Sequence, residues 1–190
     1  MIKNHKKEEI RKEFKKLRSQ IDSDTHELIS IKVKAFIEDF LLTTNISKKY
    51  IGIYWPLFNE VDLRILKVNS KLSLALPSSN KDGTMNYHPW LKESLKKDFH
   101  GIPSPINERN LTCSEISILL LPAIAIDKQG QRLGYGGGYY DRLRGQKGWN
   151  DIPAIAVLPK LCISQIAFPQ ESWDVPVNGW ITEEGFTKVK

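Results

Sequence analysis

The chain has 190 residues, of which 41% are hydrophobic and 26% are charged, and this composition excludes disordered, collagen-like and coiled-coil proteins. A chain of about 100–200 residues usually forms one domain, so we expect residues 1–190 to fold as a single domain. No apolar run reaches the roughly 18 residues that a membrane span requires, and the basic N-terminus lacks the apolar segment of a signal peptide. We therefore expect a cytoplasmic protein that does not bind a membrane.

The formal net charge of +6 is concentrated at the N-terminus. Residues 1–18 contain eight basic and three acidic residues, and their apolar side chains recur at helical spacing. We therefore predict a basic amphipathic helix over residues 1–22, in which Lys7 and Arg11 share one face. This charge is compatible with a solvated face, a nucleic-acid arm or a site for a polyanionic small molecule. The interleaved glutamates weaken the attraction to nucleic acid, so we expect no nucleic-acid partner.

Further along the chain, apolar periodicity predicts alternating helices and strands. Asp24 followed by Glu27 resembles a capping box and predicts the start of a second helix, while Val61–Val68 also has helical periodicity. Gly83 supplies a turn before an edge strand, and the fully apolar run Ile116–Leu121 predicts a central parallel strand. The predicted strands are Tyr50–Trp55, Leu72–Leu76, Thr84–Trp90, Ile116–Leu121, Ile152–Leu158 and Val177–Thr182. The alternation predicts an α/β fold, layered in a single domain, with a mostly parallel central sheet flanked by helices.

A glycine-rich loop follows the predicted central strand. Residues 134–138 contain four of the twelve glycines of the chain, and a helix is predicted directly after them, over Tyr139–Arg144. A strand, a glycine loop and a helix start in this order can bind an anion through free backbone N–H groups. The loop is not a P-loop, because Tyr139 stands where a lysine is required, and the same residue breaks the dinucleotide-binding pattern.

Two charged residues flank this loop and leave two interpretations open. Arg132 offers the planar set of donors that binds phosphate, and Asp141 offers a carboxylate of the kind that holds Mg²⁺ beside phosphates. Alternatively, the loop is a tight turn between a strand and a helix, and Arg132 and Asp141 form an ion pair at the surface. Residue chemistry is compatible with both.

The stretch over residues 120–144, LLPAIAIDKQGQRLGYGGGYYDRLR, resembles the signature of the 5-formyltetrahydrofolate cyclo-ligases, also called 5,10-methenyltetrahydrofolate synthetases. From Pro122 to Asp141 it fits the pattern P-x-x-A-x-D-x-x-G-x-R-L-G-x-G-x-G-Y-Y-D. The resemblance covers nearly the whole chain, through KEEIR at residues 7–11, EVD at residues 60–62 and WD at residues 173–174. The chain departs from the usual pattern at Ser78, Ser104, Leu161 and Asn178.

This resemblance implies an enzyme that converts 5-formyltetrahydrofolate to 5,10-methenyltetrahydrofolate, with ATP as co-substrate, Mg²⁺ as cofactor, and ADP and phosphate as products. In the implied route the formyl oxygen is phosphorylated, and a second folate nitrogen then closes the ring as phosphate leaves. Catalysis of this kind rests on positioning and on neutralising phosphate charge. The implied partners are ATP and 5-formyltetrahydrofolate, bound by a monomer or weak homodimer. The alternative is a non-catalytic module on the same fold that binds a nucleotide or phosphate.

The resemblance also implies roles for individual residues. The helix over residues 1–22 contributes to the nucleotide site, Arg132 and Tyr139 are catalytic, and Asp141 and Asp174 hold the metal. The implied ATP-binding residues are Lys7, Arg11, Arg132, Leu133, Gly134, Tyr135, Gly136, Gly137, Gly138, Tyr139 and Tyr140. The implied folate-binding residues are Trp55, Glu60, Tyr135, Gly136, Gly137, Gly138 and Tyr139. Among these, Glu60 accepts hydrogen bonds from the pterin ring and Trp55 supplies an apolar wall.

Without the resemblance, several of these side chains have simpler interpretations. Trp55 would be a core residue, and Glu60 a solvated carboxylate in a loop. The four histidines, His5, His26, His88 and His100, are scattered without metal-ligand spacing, so we predict that they lie at the surface or pack in the interior.

Overall fold

The structure of the chain, a computed structural model, describes residues 2–44, 49–91, 94–171 and 173–189, with side chains described from residue 6 onward. Its α-helices are α1 (Ile2–Arg18), α2 (Ser23–Thr43) and α3 (Tyr139–Arg144), and short 3-10 helices cover Arg64–Val68, Cys113–Glu115 and Lys160–Cys162. The strands are β1 (Tyr50–Gly52), β2 (Leu74–Ser79), β3 (Met85–Pro89), β4 (Lys96–Lys97), β5 (Pro103–Ser104), β6 (Ile116–Pro122), β7 (Ala125–Asp127), β8 (Arg132–Leu133), β9 (Ala154–Val157), β10 (Ile163–Ser164), β11 (Gly179–Thr182) and β12 (Gly185–Lys188). Within those ranges, the helices are too short or too polar to cross a membrane.

A seven-stranded sheet in the order β12-β11-β9-β6-β1-β2-β3 is the main element of the fold. Its inner strands are parallel to one another, whereas the edge strands β12 and β3 run antiparallel to their neighbours. β6 lies in the middle, where Leu119 pairs with Gly52 on one side and Ala154 on the other. The predicted mostly parallel sheet and the central position of Ile116–Leu121 are both confirmed.

Helices cover both faces of this sheet. Leu119 of β6 joins one hydrophobic core with Phe14 of α1 and Leu143 of α3, whereas its neighbour Leu120 joins a second core with Ile29 of α2. Adjacent residues of a strand point to opposite faces, so β6 has no side that faces water. That is why its sequence is apolar throughout instead of alternating.

Several predicted elements are shorter in the structure. The helix predicted over residues 1–22 ends at Arg18, and the strands predicted over Ile152–Leu158 and Val177–Thr182 are reduced to β9 and β11. β1 covers only the first three residues of Tyr50–Trp55, and Val61–Val68 contains only the 3-10 helix at Arg64–Val68. Pro56 has no N–H group with which to continue the strand pairing. Residues 53–63 instead form a loop, in which Asn59 adopts a left-handed φ of 62°. This loop carries Glu60.

Several short strands were not predicted from the sequence. β12 pairs with β11 at the sheet edge but is largely exposed, and β7 pairs with β8 and β10 in a separate small sheet. Their hydrophobic patterns are too short to be informative. The β7–β8 hairpin matters for the site because Arg132 lies on β8 and the glycine loop follows. Buried Asp127 fixes this hairpin by accepting hydrogen bonds from the amides of Gln131 at 2.9 Å and Phe168 at 2.8 Å.

The N-terminal cap of α2 differs from the predicted one. Asp22, not Asp24, precedes the helix in an extended conformation, and its carboxylate accepts a hydrogen bond from the Thr25 amide at 2.8 Å. Hydrogen bonding from the side chain of Thr25 and from its amide lowers the pKa of Asp22. Asp24 lies within the first turn, where its charge favours the helix without capping it.

We expect Asp22→Ala to lower the melting temperature by about 2–4 °C, the effect of losing one N-cap in a chain of this length. Asp24→Ala is the matched control and should lower the melting temperature by less, because it leaves the Asp22–Thr25 bond in place. Thermal unfolding followed by circular dichroism measures both. A larger loss for Asp24→Ala would contradict the assignment of the cap.

Candidate active site

A cavity of about 640 Å³ lies at the carboxyl ends of the parallel strands. Pro122 at the end of β6 and Ser79 at the end of β2 contribute to its floor. α1, the Glu60 loop, Glu171, Trp173 and Asp174 contribute to its walls. Ligands of open α/β sheets commonly bind at this edge. We call this cavity the main cavity. All the site residues that the family resemblance implied line it.

The glycine loop presents its backbone to the main cavity. Gly136 and Gly138 have left-handed φ values of 105° and 67°, which favour glycine, and a Cβ atom at Gly138 would lie 2.7 Å from a guanidinium nitrogen of Arg142. In the part of the chain that the structure describes, the amides of residues 134–138 donate to no protein acceptor. These unpaired donors are available to an anion in the cavity.

Arg132 and Asp141 form an ion pair, with 2.9 Å between Nη2 and Oδ1. The Arg132 side chain is only 6% exposed and that of Asp141 31%. Arg132 also donates to the carbonyl of Pro122 at 3.1 Å and lies over the ring of Tyr140, 5.2 Å from its centroid. The pair considered from sequence as a surface feature is thus set into the wall of the main cavity.

The two cations that share a face of α1 reach different parts of the cavity wall. Lys7 forms an ion pair with Asp174 at 2.9 Å, and both side chains are largely buried. Arg11 Nε donates to the carbonyl of Gly134 at 2.9 Å. The basic helix is therefore held against both the glycine loop and residue 174, and two of its positive charges line the cavity.

Asp141 and Asp174 are the residues that the family resemblance implied as metal ligands. Oδ1 of Asp141 is bound to Arg132, and Oδ2 of Asp174 accepts from Lys7 and from the amide of Glu171, each at 2.9 Å. Across the described ranges, the second oxygen of each carboxylate has no protein donor, and no group of three or more His, Cys, Asp or Glu residues is placed to hold a metal. Two carboxylates completed by phosphate oxygens and water suit Mg²⁺, so these residues fit that ion.

Glu60 lies elsewhere in the cavity wall and is 8% exposed. Its Oε2 accepts a hydrogen bond from the Leu57 amide at 2.8 Å, whereas Oε1 is buried without a protein donor within the described residues. Burial raises the pKa of Glu60, and the Leu57 amide, the charge of Arg18, the hydroxyl of Tyr135 and the charge of Arg132 offset part of that shift. A buried acceptor without a partner is costly, so Oε1 is suited to a donor on a ligand.

Trp55 forms an aromatic wall beside Glu60. Its ring meets that of Trp90 edge to face with 6.3 Å between centroids, and the guanidinium of Arg64 lies 4.7 Å from the Trp55 centroid. Trp55 is half-buried and keeps a surface toward the cavity. It is therefore more than a core residue.

Some residues of the site were missed by the sequence analysis. Arg18, counted only as part of the basic segment, is buried and donates to the carbonyls of Asn59 and Ala123, which holds the Glu60 loop beside α1. His88 packs in the interior as predicted, but His100 lines the main cavity and contacts Tyr139. The side chain of His5 lies outside the described residues. Nothing in the local sequence distinguishes His100, because its partner is 39 positions away.

The four departures from the usual family pattern do not contribute to the lining of the main cavity in the described structure. Ser78 bonds His88 at 2.7 Å, Ser104 donates to the carbonyl of Pro77 at 2.5 Å, and Asn178 accepts from the amide of Ala154 at 2.8 Å. Leu161 is half-exposed. The three polar residues therefore have structural roles of their own.

Comparison with known proteins gives a consistent result. Residues 3–183 match the model of the 5-formyltetrahydrofolate cyclo-ligase family. The 5-formyltetrahydrofolate cyclo-ligase of Haemophilus influenzae is 29% identical over 187 residues, covering 90% of this chain and 95% of that protein. The enzyme of the same name from Escherichia coli K12 is 34% identical over 101 residues, which span 52% of this chain and 53% of that protein.

Two solved structures share the fold. The NMR structure of Aquifex aeolicus 5,10-methenyltetrahydrofolate synthetase aligns with a TM-score of 0.80 and 24% identity, covering 97% of this chain and 93% of that one. A 5,10-methenyltetrahydrofolate synthetase from Mycoplasma pneumoniae aligns with a TM-score of 0.70 and 23% identity, covering 93% and 98%. The arrangement of helices and strands described above is thus also found in experimental structures.

Proposed function

The chain belongs to the 5-formyltetrahydrofolate cyclo-ligase family, and we propose that it catalyses the ATP-dependent closure of 5-formyltetrahydrofolate to 5,10-methenyltetrahydrofolate. The observation that carries the proposal is a single cavity in which two kinds of site meet. One part of the cavity favours a polyanion, because it is lined by Lys7, Arg11, Arg132 and the amides of residues 134–138, which have no acceptor among the described residues. The other part favours a flat ring that bears N–H donors, because it is lined by Glu60 and Trp55.

The proposed reaction solves a leaving-group problem. The formyl oxygen attacks the γ-phosphorus of ATP, the bond from that phosphorus to the ADP oxygen breaks, and a phosphorylated formyl intermediate results. The second folate nitrogen then attacks the formyl carbon and gives up its proton, and the C–O bond breaks to release phosphate. The protein supplies no covalent nucleophile. Its task is to align the two substrates and to stabilise charge on the phosphate being transferred.

The phosphate end of the site is assigned to the glycine loop and the cations around it. The amides of residues 134–138, with Leu133 and Tyr140 beside them, would surround the triphosphate. Arg132 would bind the transferred phosphate with its planar donors, and the Tyr139 hydroxyl would donate a hydrogen bond to the reacting oxygens. Lys7 and Arg11 would neutralise the remaining charge from α1.

Asp141 and Asp174 would hold Mg²⁺ through the oxygens that face no protein donor. When bound, the ion would neutralise part of the phosphate charge and so reduce the repulsion between ATP and the formyl oxygen. Each carboxylate already has a basic neighbour that offsets its charge, Arg132 for Asp141 and Lys7 for Asp174.

The folate end of the site is assigned to Glu60 and Trp55. Oε1 of Glu60 lacks a donor, and the pterin ring carries adjacent N–H groups that match a carboxylate. Trp55 would cover one face of that ring. Tyr135 and the glycines at 136–138, which line the same cavity, would contact the part of the folate that bears the formyl group.

We expect Glu60→Gln to raise KM for 5-formyltetrahydrofolate by about 10- to 100-fold with a smaller change in kcat, because a charge-assisted hydrogen bond is worth about 1.5–3 kcal/mol. In the unchanged protein, KM should also rise as the pH falls through the raised pKa of Glu60, because the protonated carboxyl accepts fewer bonds. The variant should lack that dependence. Steady-state kinetics between pH 5 and 8 measure both, with exposed Glu27→Gln as control. Equal pH dependence in the variant would contradict the assignment.

Glu60→Gln should weaken folate binding but stabilise the folded chain at neutral pH. The folded chain holds the Glu60 proton more tightly than the unfolded chain, whose ordinary pKa is 4.5. Stability therefore falls as the pH rises from that value through the folded pKa, and at pH 7 the ionised form is a net cost. Glu60→Gln should be more stable than the unchanged protein to urea at pH 7, and this gain should vanish at low pH.

The proposed function is tested with the purified full chain. Product, followed by the absorbance of the methenyl group, should form only when ATP, Mg²⁺ and 5-formyltetrahydrofolate are all present. Calorimetry with ATP runs in parallel. ATP binding without product formation at saturating substrate would overturn the proposal and favour the non-catalytic module.

A further inference from the structure

The side chain of His100 lies in the wall of the main cavity and has no part in the chemistry above. His100 Nε2 lies 2.7 Å from the hydroxyl oxygen of Tyr139, and the two rings meet edge to face with 5.2 Å between centroids. Both residues line the main cavity. The hydroxyl that the proposed function directs at the substrates is therefore already bonded to an imidazole.

The turn that carries His100 is fixed to the sheet by Asp98. Oδ1 of Asp98 accepts hydrogen bonds from the amides of His100 and Ile102, each at 2.9 Å. Its Oδ2 accepts from the amide and the hydroxyl of Ser79, at the end of β2, at 2.9 and 2.6 Å. Gly101 completes the turn with a left-handed φ of 77°. The imidazole is exposed, but its backbone is held, so it meets Tyr139 from a defined direction.

The Tyr139 hydroxyl has one proton and two possible protein acceptors, His100 Nε2 at 2.7 Å and the carbonyl of Asn80 at 3.3 Å. When Nε2 carries no proton, it is the nearer acceptor and the tyrosine proton points to it. When Nε2 carries a proton, it donates to the tyrosine oxygen, and the hydroxyl proton is free for another oxygen. The state of the imidazole thus decides where Tyr139 donates.

We propose that His100 is a positioning residue that directs the Tyr139 hydroxyl toward an anionic oxygen in the cavity, and that the productive state has a proton on Nε2. This rests on the proposed function, in which Tyr139 contacts the reacting oxygens. The imidazolium always has that proton, whereas the neutral ring has it in only one tautomer. Turnover through Tyr139 therefore depends on a proton at Nε2 of His100.

Two charged groups lie close to this pair. Asp98 is on the same turn as His100, and the guanidinium of Arg142 lies over the Tyr139 ring, 5.1 Å from its centroid. Arg142 is held by the carbonyls of Gly83 and Gly137 at 2.8 and 2.6 Å and stays charged over the working pH range. A test of the pair that varies the pH must therefore separate the effect of His100 from that of Asp98.

The first test reads Tyr139 directly in the ligand-free protein. Tyrosine is labelled with ¹³C at the ring carbon that bears the hydroxyl, and Tyr139→Phe identifies the resonance. We expect it to move between pH 5 and 8, where imidazoles titrate, and to stay still in His100→Gln. His26→Gln is the control and should leave the movement intact. A resonance that does not move, or one that still moves in His100→Gln because Asp98 is the source, would overturn the inference.

The second test reads turnover. His100→Phe keeps an aromatic ring but removes the bond, and kcat should fall by about 3- to 10-fold, with KM for both substrates nearly unchanged. His100→Gln places an amide N–H near the position of Nε2 and should recover most of that loss. Its kcat should not show the pH dependence of the unchanged protein. In a Tyr139→Phe background, His100→Phe should have no further effect. Additive losses, or no recovery by glutamine, would reject the inference. If the unchanged protein forms no product, the proposed function fails, while the resonance test still decides the role of His100.

Discussion

Replacing Arg132 with alanine should lower kcat/KM for the cyclisation by about 10²- to 10⁴-fold while the sheet stays folded. Arginine binds phosphate through two charge-assisted hydrogen bonds, and each is worth about 1.5–3 kcal/mol. Arg132 is well placed for this, because its guanidinium is held between Pro122, Asp141 and the ring of Tyr140. Steady-state kinetics with ATP as the varied substrate measure the loss.

Two further variants separate phosphate binding from loss of structure. Arg132→Lys keeps the charge but not the planar donors, so its activity should lie between those of the alanine variant and the unchanged protein. Arg109→Ala removes an exposed arginine that pairs with Glu115 outside the main cavity and should leave activity unchanged. Arg132 would be excluded from the catalytic site if the Arg132→Ala protein melted normally and kept its activity within about threefold of the unchanged protein. A threefold loss corresponds to about 0.7 kcal/mol of activation free energy.

Replacing Asp141 with asparagine should raise the Mg²⁺ concentration needed for half-maximal activity by at least about tenfold. Loss of a group that merely supports a metal ligand already weakens metal sites by about 10- to 100-fold, and here a carboxylate ligand itself would be lost. Asparagine keeps the shape and can still accept the hydrogen bond from Arg132, so the fold should be retained. Kinetics at varied Mg²⁺ and calorimetry of Mg²⁺ with a non-hydrolysable ATP analogue measure the effect independently.

Asp151→Asn serves as the matched control, since Asp151 is exposed and lies outside the lining of the main cavity. Its Mg²⁺ dependence should equal that of the unchanged protein. If Asp141→Asn behaved in the same way in both measurements, Asp141 would have to be reassigned as a partner of Arg132 alone.

The fold was predictable where the information is local. The apolar run Ile116–Leu121 marks the buried central strand because a strand covered on both faces cannot contain a polar position. The four glycines within residues 134–138, placed before a helix, mark a loop, because glycine adopts backbone conformations that other residues rarely adopt. Asp22 illustrates the margin of error, since Asp24 offers nearly the same capping pattern two positions later and only the formed helix distinguishes them.

The assembly of the site was beyond local information. Lys7 and Asp174 are 167 positions apart, and His100 and Tyr139 are 39 positions apart. Resemblance to a family implied that Lys7 and Asp174 belong to one site, but no rule of spacing brings them together. His100 had neither a resemblance nor a pattern in its favour and was predicted only to lie at the surface or to pack in the interior.

The sequence by itself determined the class of fold, its central strand, the position of the glycine loop and the family to which the chain belongs, because each depends on neighbouring residues or on a long contiguous match. Tertiary structure alone decided that Arg132 is buried beside Asp141, that one oxygen of Glu60 has no donor among the described residues, and that His100 reaches Tyr139. Hydrogen bonds and desolvation act over a few ångströms, and the distances between such groups are fixed only when the strands pair and the helices pack on them.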